Sequence, residues 1–203
     1  MIEKVVENLR KNKFLVHYFE NSKDACDYLI KVIPPGAKVG IGGSITLNQI
    51  GFVEALQNRK DIIFFNQYLK NLPRETSLQI RREGLLSDYY FTGSNAITEE
   101  GEIVNIDGVG NRVAALSFGP KKVFIVVGKN KIVKNYNEAI KRIKTIAAPL
   151  NAKRLGRHTP CVDDGICHNC DSPDRICNIV HVLKKQPYPE RITVVLIDEK
   201  LGL

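Results

Sequence analysis

The sequence lacks any long apolar run. Its longest ones, such as residues 123–127 and 193–197, are far short of the roughly 20 apolar residues that cross a bilayer as a helix. Both runs are rich in β-branched residues, which predicts buried strands. We therefore expect a protein that does not span a membrane.

The sequence also lacks a basic and apolar leader that ends in a cleavage site. Residues 1–8 instead have the pattern of an amphipathic helix. We therefore expect a cytoplasmic protein, in which thiols stay reduced and disulfides are rare.

Acidic residues are scarce in one part of the chain. The net charge is +8, and residues 121–157 contain eleven Lys or Arg and a single acid, Glu138. Aromatic side chains are also scarce there, with Tyr136 standing alone, so nucleic acid is the weaker interpretation. A solvated face, or a surface that attracts a small phosphorylated or acidic ligand, is favoured.

The composition is that of an ordinary globular chain, with 203 residues, 43% hydrophobic and 26% charged. Strand and helix patterns alternate, which predicts an α/β fold with a mostly parallel, Rossmann-like sheet flanked by helices. The predicted helices include residues 47–56, 74–84 and 176–184. We expect one domain over residues 1–203, with a cysteine-rich loop at residues 156–180.

Four of the five cysteines lie in this loop, at Cys161, Cys167, Cys170 and Cys177. Two cysteines separated by two residues in a turn can direct both sulfurs at one ion, and Gly165 marks the stretch as turn. A redox dithiol is the weaker interpretation, because that motif normally opens a helix of a βαβ unit. The spacing therefore predicts a metal site, and all-thiolate ligation suits either zinc or an iron–sulfur cluster.

A glycine-rich loop containing Gly42, Gly43, Ser44 and Thr46 leaves one predicted strand and opens a helix. Bare amides and hydroxyls at such a place can hold a phosphate or a carboxylate. The loop lacks the P-loop lysine and does not match G-x-G-x-x-G. A tight turn capped by Ser44 or Thr46 is an equal alternative.

Asp107 is the one carboxylate in the glycine-rich loops that is placed for general-base work at a strand end. An Asp before a Gly commonly makes a turn hydrogen bond instead, and that alternative is favoured. Arg112 is suited to clamp a carboxylate bidentately, or it pairs with Asp107.

Four segments together, residues 42–46, 93–101, 105–115 and 118–122, resemble the LUD (lactate utilisation) domain family. The wider fold group of that family contains ribose-5-phosphate isomerase, glucosamine-6-phosphate deaminase and CoA transferases, so the resemblance implies their α/β fold. It also implies that the loops bind an anionic metabolite. The implied ligand-binding residues are Gly42, Gly43, Ser44, Thr46, Gly93, Ser94, Asn95, Gly108, Gly110, Asn111 and Arg112, with Asp107 as the catalytic candidate.

Some LUD proteins take part in an iron–sulfur-dependent oxidation of lactate. The resemblance therefore implies a role with lactate or another small 2-hydroxy acid, and it favours an iron–sulfur cluster over zinc. The alternatives are a non-catalytic sensing or assembly subunit with a structural zinc, and an isomerase or CoA transferase. The expected partners are a small anionic metabolite and an iron–sulfur or redox protein, and self-association into a homo-oligomer is a further expectation.

Overall fold

The main sheet of the protein is made of parallel strands. The computed structural model describes residues 2–69 and 71–203. The strands are β1 (Leu15–Phe19), β2 (Lys38–Ile41), β3 (Ile63–Phe65), β4 (Tyr89–Thr92), β5 (Ala96–Thr98), β6 (Ile103–Asp107), β7 (Lys122–Gly128), β8 (Ile132–Val133), β9 (Ile179–Leu183) and β10 (Ile192–Ile197). Six of them form one sheet in the order β1-β10-β7-β4-β2-β3, with every neighbouring pair parallel. The predicted α/β architecture is therefore confirmed.

Helices pack against both faces of this sheet. They are α1 (Ile2–Lys11), α2 (Ser22–Lys31), α3 (Ile45–Gln49), α4 (Phe52–Asn58), α5 (Arg74–Gly84), α6 (Asn111–Ser117), α7 (Tyr136–Arg142), α8 (Ala148–Arg154) and α9 (Cys161–Asp164). Because side chains alternate along a strand, β7 directs Phe124 and Val126 into one apolar cluster and Val123 and Ile125 into another. All six residues of β10 are buried, which explains why this strand is a continuous apolar run in the sequence.

A second, smaller sheet has the strand order β8-β5-β6-β9. It is built from segments that follow β4 and β7, so it lies beyond the carboxyl ends of those strands. The predicted helix at residues 176–184 is wrong, because β9 occupies this stretch and pairs antiparallel with β6. Ile179, Val180 and Val182 are β-branched, and pairing with a distant strand overrides the local helical pattern.

The predicted helix at residues 47–56 is interrupted. Gly51 has a φ of +76°, which ends α3 and begins α4. The prediction for residues 74–84 is confirmed by α5. Between α7 and α8 the chain forms a π-helical segment, Ile143–Ala147, directly before Pro149, whose nitrogen cannot donate a helical hydrogen bond. None of the helices that the structure describes is both long enough and apolar enough to cross a bilayer.

Candidate functional site

A pocket of about 370 Å³ opens at the carboxyl edge of the main sheet. β2, β4 and β7 are near neighbours in this sheet, and the loops that follow them all contribute to the pocket, as α/β folds favour. Among the predicted ligand residues, those that line the pocket are Gly43, Ser44, Gly93, Ser94, Asn95, Gly108, Asn111 and Arg112, together with Asp107. Gly42, Thr46 and Gly110 belong to the same loops but lie outside the lining.

Gly43 is the part of the first loop that faces open space, since a Cβ atom placed on it would meet no atom within 4 Å. The Gly42 amide donates to the Phe91 carbonyl at 2.8 Å and so continues the sheet. Ser44 Oγ accepts a hydrogen bond from the Leu47 amide at 3.2 Å and caps α3. The capping alternative for Ser44 is therefore the arrangement observed.

The Tyr68 hydroxyl forms two hydrogen bonds with the backbone of this loop. It accepts a hydrogen bond from the Ser44 amide at 2.6 Å and donates to the Gly42 carbonyl at 3.2 Å. Burial raises the pKa of Tyr68, so the hydroxyl remains protonated near neutral pH and keeps both roles. The loop is thereby held in one conformation beside the pocket.

Both carboxylate oxygens of Asp107 accept hydrogen bonds from the protein. Oδ1 accepts from the Gly110 amide at 2.9 Å, which forms the turn, and Oδ2 accepts from Arg112 Nε at 2.9 Å. The pair is largely buried, with side-chain exposures of 12% for Arg112 and 9% for Asp107. The turn and the Asp107–Arg112 pair are therefore both present, while the general-base role stays a prediction.

The remaining donors of Arg112 bond to β6 and to the loop between β4 and β5. Nη1 donates to the Asn105 side chain and to the Gly93 carbonyl, and Nη2 donates to Asn95 Oδ1 at 3.2 Å and to the Ile106 carbonyl at 2.9 Å. A guanidinium has five N–H donors, so these bonds and the one to Asp107 occupy all of them. Arg112 holds the pocket walls together and contributes its charge to the pocket.

Cationic side chains dominate the charge of the pocket. Among the described residues that line it, the cationic ones are Arg81, Arg112, Lys131, Arg154 and Arg157, and the acidic one is Asp107. Asp107 pairs with Arg112, and Arg157 pairs with Asp174, which lies outside the lining. The lining therefore keeps an excess of positive charge that can act on a ligand. Lys131, Arg154 and Arg157 come from the acid-poor stretch at residues 121–157, for which the sequence favoured a surface that attracts acidic ligands.

Lys131 is the most unusual of these cations, since the whole residue is only 5% exposed. It ends the 3₁₀ turn Lys129–Lys131, which follows β7, and its Nζ donates to Thr46 Oγ1 at 3.1 Å. Burial, followed by the positive charges of Arg142 and Arg112, lowers the pKa of Lys131 to about 7. At neutral pH a substantial part of the protein therefore carries an uncharged amine in the pocket wall.

The cysteine-rich segment forms another wall of the pocket. Ile176 lies in the lining, and the Asn178 amide donates to the Asp107 carbonyl at 2.9 Å. The Asn178 side chain also donates to the Gly108 carbonyl at 3.2 Å. The segment that carries the predicted metal ligands is thus bonded directly to the loop that carries Asp107.

The four predicted metal ligands are free, half-buried thiols. Burial raises the pKa of Cys177, and the other three thiols also act on it electrostatically. Arg175 ties the segment together by donating to the carbonyls of Cys170 and Cys177 at 2.7 and 3.1 Å. Over residues 2–69 and 71–203, no three His, Cys, Asp or Glu side chains are close enough to hold one metal ion as they stand.

The sequence model of the LUD domain matches residues 2–197. The chain belongs to the LUD domain family. The resemblance that the glycine-rich segments suggested is therefore confirmed, and it extends through the cysteine-rich segment to β10.

The solved structures agree with this assignment at the level of the fold. This LUD domain is similar to a DUF162 family protein from Deinococcus radiodurans, with 15% identity, a TM-score of 0.54, and coverage of 97% of this chain and 95% of that one. A weaker likeness is to 5-methylthioribose 1-phosphate isomerase from Pyrococcus horikoshii OT3, with 14% identity, a TM-score of 0.34, and coverage of 77% of this chain and 49% of that one. Another is to eIF2B beta from Chaetomium thermophilum, with 14% identity, a TM-score of 0.39, and coverage of 68% of this chain and 48% of that one. The LUD domain spans about half of each of those two chains. No sequence among the curated proteins matches it.

Sequence reasoning about this LUD domain missed several lining residues that lie far from the glycine-rich loops in the sequence, among them Tyr68 and Arg81. Tyr68 follows β3, and Arg81 lies on α5. No spacing or motif marks either residue, because tertiary packing alone brings them to the pocket. The acid-poor stretch was the one signal for Lys131, Arg154 and Arg157, and it gave the charge of the surface without identifying its members.

Proposed function

We propose that this LUD domain binds a small carboxylate or phosphorylated metabolite in the pocket at the carboxyl edge of its main sheet. The observation that carries this proposal is the excess of cationic side chains over acidic ones in the lining. An anion that enters neutralises charges that otherwise repel one another in a partly desolvated space. The volume of about 370 Å³ lies in the range of small-molecule sites.

Arg154 and Arg157 are the best candidates for direct contact with the ligand. Arg112 has no donor left, whereas Arg154 donates from Nε and Nη2 to Asn151 Oδ1 and keeps Nη1 unbonded. Arg157 Nη1 lies 3.7 Å from Asp174 Oδ1 in a half-exposed ion pair. A ligand can take the place of Asp174 at little cost in free energy, because exposed ion pairs contribute little. Each of these guanidiniums can offer a fork of donors to a carboxylate or a phosphate.

The membership of the LUD family supports a more specific role. We propose that the ligand is lactate or another short 2-hydroxy acid, or the 2-oxo acid derived from it, and that the protein acts in the utilisation of such acids. These compounds carry one carboxylate next to a hydroxyl or carbonyl group. The Gly43 amide, the Ser44 hydroxyl and the side-chain amide nitrogen of Asn95 can donate to that second group, since all three residues line the same pocket.

We also propose that Cys161, Cys167, Cys170 and Cys177 bind an iron–sulfur cluster, with zinc as the alternative metal. Four free, half-buried thiols lie within one short segment, in which Arg175 donates to the carbonyls of Cys170 and Cys177, and thiolates suit both metals. Binding would require the segment to gather these four sulfurs around one metal centre. A cluster there would supply electron transfer beside the pocket, and zinc would stabilise the wall.

Titration calorimetry tests the ligand proposal directly. We expect D- or L-lactate, pyruvate, or inorganic phosphate to bind the wild-type protein, and Arg154→Gln combined with Arg157→Gln to weaken that binding by about tenfold or more. Lys144→Gln is the matched control, since Lys144 is an exposed cation of the same acid-poor stretch that lies outside the pocket lining. Equal weakening by the control variant, or no binding of any of these anions, would overturn the proposal.

A further inference from the structure

Lys131 is a buried lysine that belongs to the pocket lining. The residue follows β7, the central strand next to β4, and its Nζ approaches the Thr46 hydroxyl behind the glycine-rich loop. Gly202 packs over the same two groups, since a Cβ atom placed on Gly202 would lie 2.8 Å from Nζ. The amine is thus shielded from bulk water while its side chain remains part of the pocket lining.

The surroundings of Lys131 provide no compensating negative charge. None of the ion pairs formed by the described residues includes it. The charged groups that act on its amine are instead the guanidiniums of Arg142 and Arg112. Arg142 is itself fixed, because it donates to the carbonyls of Asn130 and Asn95 at 3.1 and 2.8 Å.

This arrangement costs stability, which points to a role for the amine other than a structural one. A lysine whose only role is structural gains from a carboxylate partner or from solvent, and Lys131 has neither. Desolvation and neighbouring cations are the two devices that keep a lysine amine uncharged at neutral pH, and an uncharged amine is a nucleophile. The same cations attract an anionic ligand towards it.

We propose that Lys131 is a nucleophile that forms an imine with a small oxo compound whose carboxylate or phosphate is held by the pocket cations. The neutral Nζ attacks the carbonyl carbon and forms a C–N bond. The carbonyl oxygen leaves as water with both amine protons, so the imine forms without any oxidant or reductant. The inference rests on the proposed anion pocket and adds to it a substrate class, namely 2-oxo acids and phosphorylated aldehydes or ketones.

Reductive trapping tests this proposal. The wild-type protein is incubated at pH 7.5 with pyruvate or, separately, with glyceraldehyde 3-phosphate, and sodium cyanoborohydride converts any imine to a stable secondary amine. Intact mass and peptide mapping then locate the adduct. We expect one adduct per chain, located on Lys131, with the two probes showing whether a carboxylate or a phosphate is preferred.

Variants distinguish a nucleophile from a lysine that merely contributes charge. Lys131→Met and Lys131→Arg should both lose the adduct. The Arg variant keeps the positive charge, so it serves as the test if the Met variant alters folding. Lys129→Met, which removes an exposed lysine of the same turn, should trap normally. At pH 7.5 the neutral fraction of Lys131 exceeds that of an ordinary lysine by on the order of 1000-fold, so the trapping rate should level off above about pH 8 rather than climb.

The outcomes separate this inference from the proposed function. If calorimetry shows that pyruvate or phosphate binds but no adduct forms on Lys131 with either probe, the nucleophile is refuted and the anion pocket stands. If neither binding nor an adduct is seen, both fail. Adducts spread over exposed lysines, with equal yield from Lys131→Arg, would also overturn the assignment.

Discussion

Replacing Lys131 with methionine should make the protein more stable at neutral and acidic pH. The unfolded chain holds the lysine proton up to about pH 10.5, whereas the folded protein releases it near pH 7. Between these two values the unfolded state binds more protons, so the stability of the wild-type protein rises with pH across this window. Below pH 7 the folded state carries the full cost of the buried charge.

The size of that cost follows from the two pKa values. At about 1.4 kcal/mol for each pKa unit, the difference between about 7 and 10.5 amounts to about 4 to 5 kcal/mol below pH 7. Methionine fills a similar volume without charge but loses the hydrogen bond to Thr46, which is worth about 1 kcal/mol. We therefore expect a net gain of about 2 to 4 kcal/mol at pH 6.

Urea unfolding followed by circular dichroism at several pH values between 6 and 9 measures this effect. The advantage of Lys131→Met should shrink by about 1.4 kcal/mol for each pH unit above 7. Burial raises the pKa values of Cys26 and Cys177, and both thiols are present in variant and wild type, so any contribution they make to the pH dependence cancels. Lys129→Met is the control: it keeps Lys131, so its difference in stability from wild type should not change with pH across this range. A Lys131→Met protein that is less stable than wild type at pH 6, or whose advantage does not change with pH, would refute the reasoning.

Three further predictions concern the loops around the pocket. Gly43→Val places a side chain in open pocket space at a position without steric conflict, so calorimetry should show loss of anion binding with an unchanged urea midpoint; retained binding would contradict the pocket assignment. Asp107→Asn leaves the largely buried Arg112 without its counter-charge, so the unfolding free energy should fall by about 2 to 4 kcal/mol, and a silent variant would contradict the pairing described. Cys167→Ser and Cys170→Ser should each remove the metal from protein purified without oxygen, as elemental analysis and the visible spectrum can show. Brown protein with iron and sulfide supports the cluster, colourless protein with one zinc supports the structural alternative, and metal-free protein with four reactive thiols excludes the site.

Local pattern was sufficient to predict the architecture of the main sheet. Buried strands such as β7 and β10 are continuous apolar runs, and α5 has clear boundaries, so alternation of strand and helix implied a parallel sheet. The small sheet was not predicted, because β8 has two residues and β9 depends on pairing with β6, which lies more than seventy residues earlier. Such long-range pairing leaves little trace in a local window.

The candidate site was predicted where it depends on strand ends and missed where it depends on packing. Loops that follow neighbouring parallel strands meet at one edge, and Gly43 and Gly93 accordingly line the same pocket. The burial of Lys131 was not foreseeable, because its side chain follows an exposed Lys129 in a segment that looks uniformly basic. Whether a cation faces solvent or the pocket is decided by the tertiary fold.

Amide chemical shifts of isotope-labelled protein during titration with lactate, pyruvate and phosphate test the central claim most directly. We predict saturable shifts at Gly43, Gly93, Asn95 and Gly108, because these residues line the pocket from three separate loops. Lactamide, which has the shape of lactate without its charge, should cause much smaller shifts at equal concentration. Absence of saturable shifts at these four residues, or equal shifts with lactamide, would contradict the account of an anion-binding pocket.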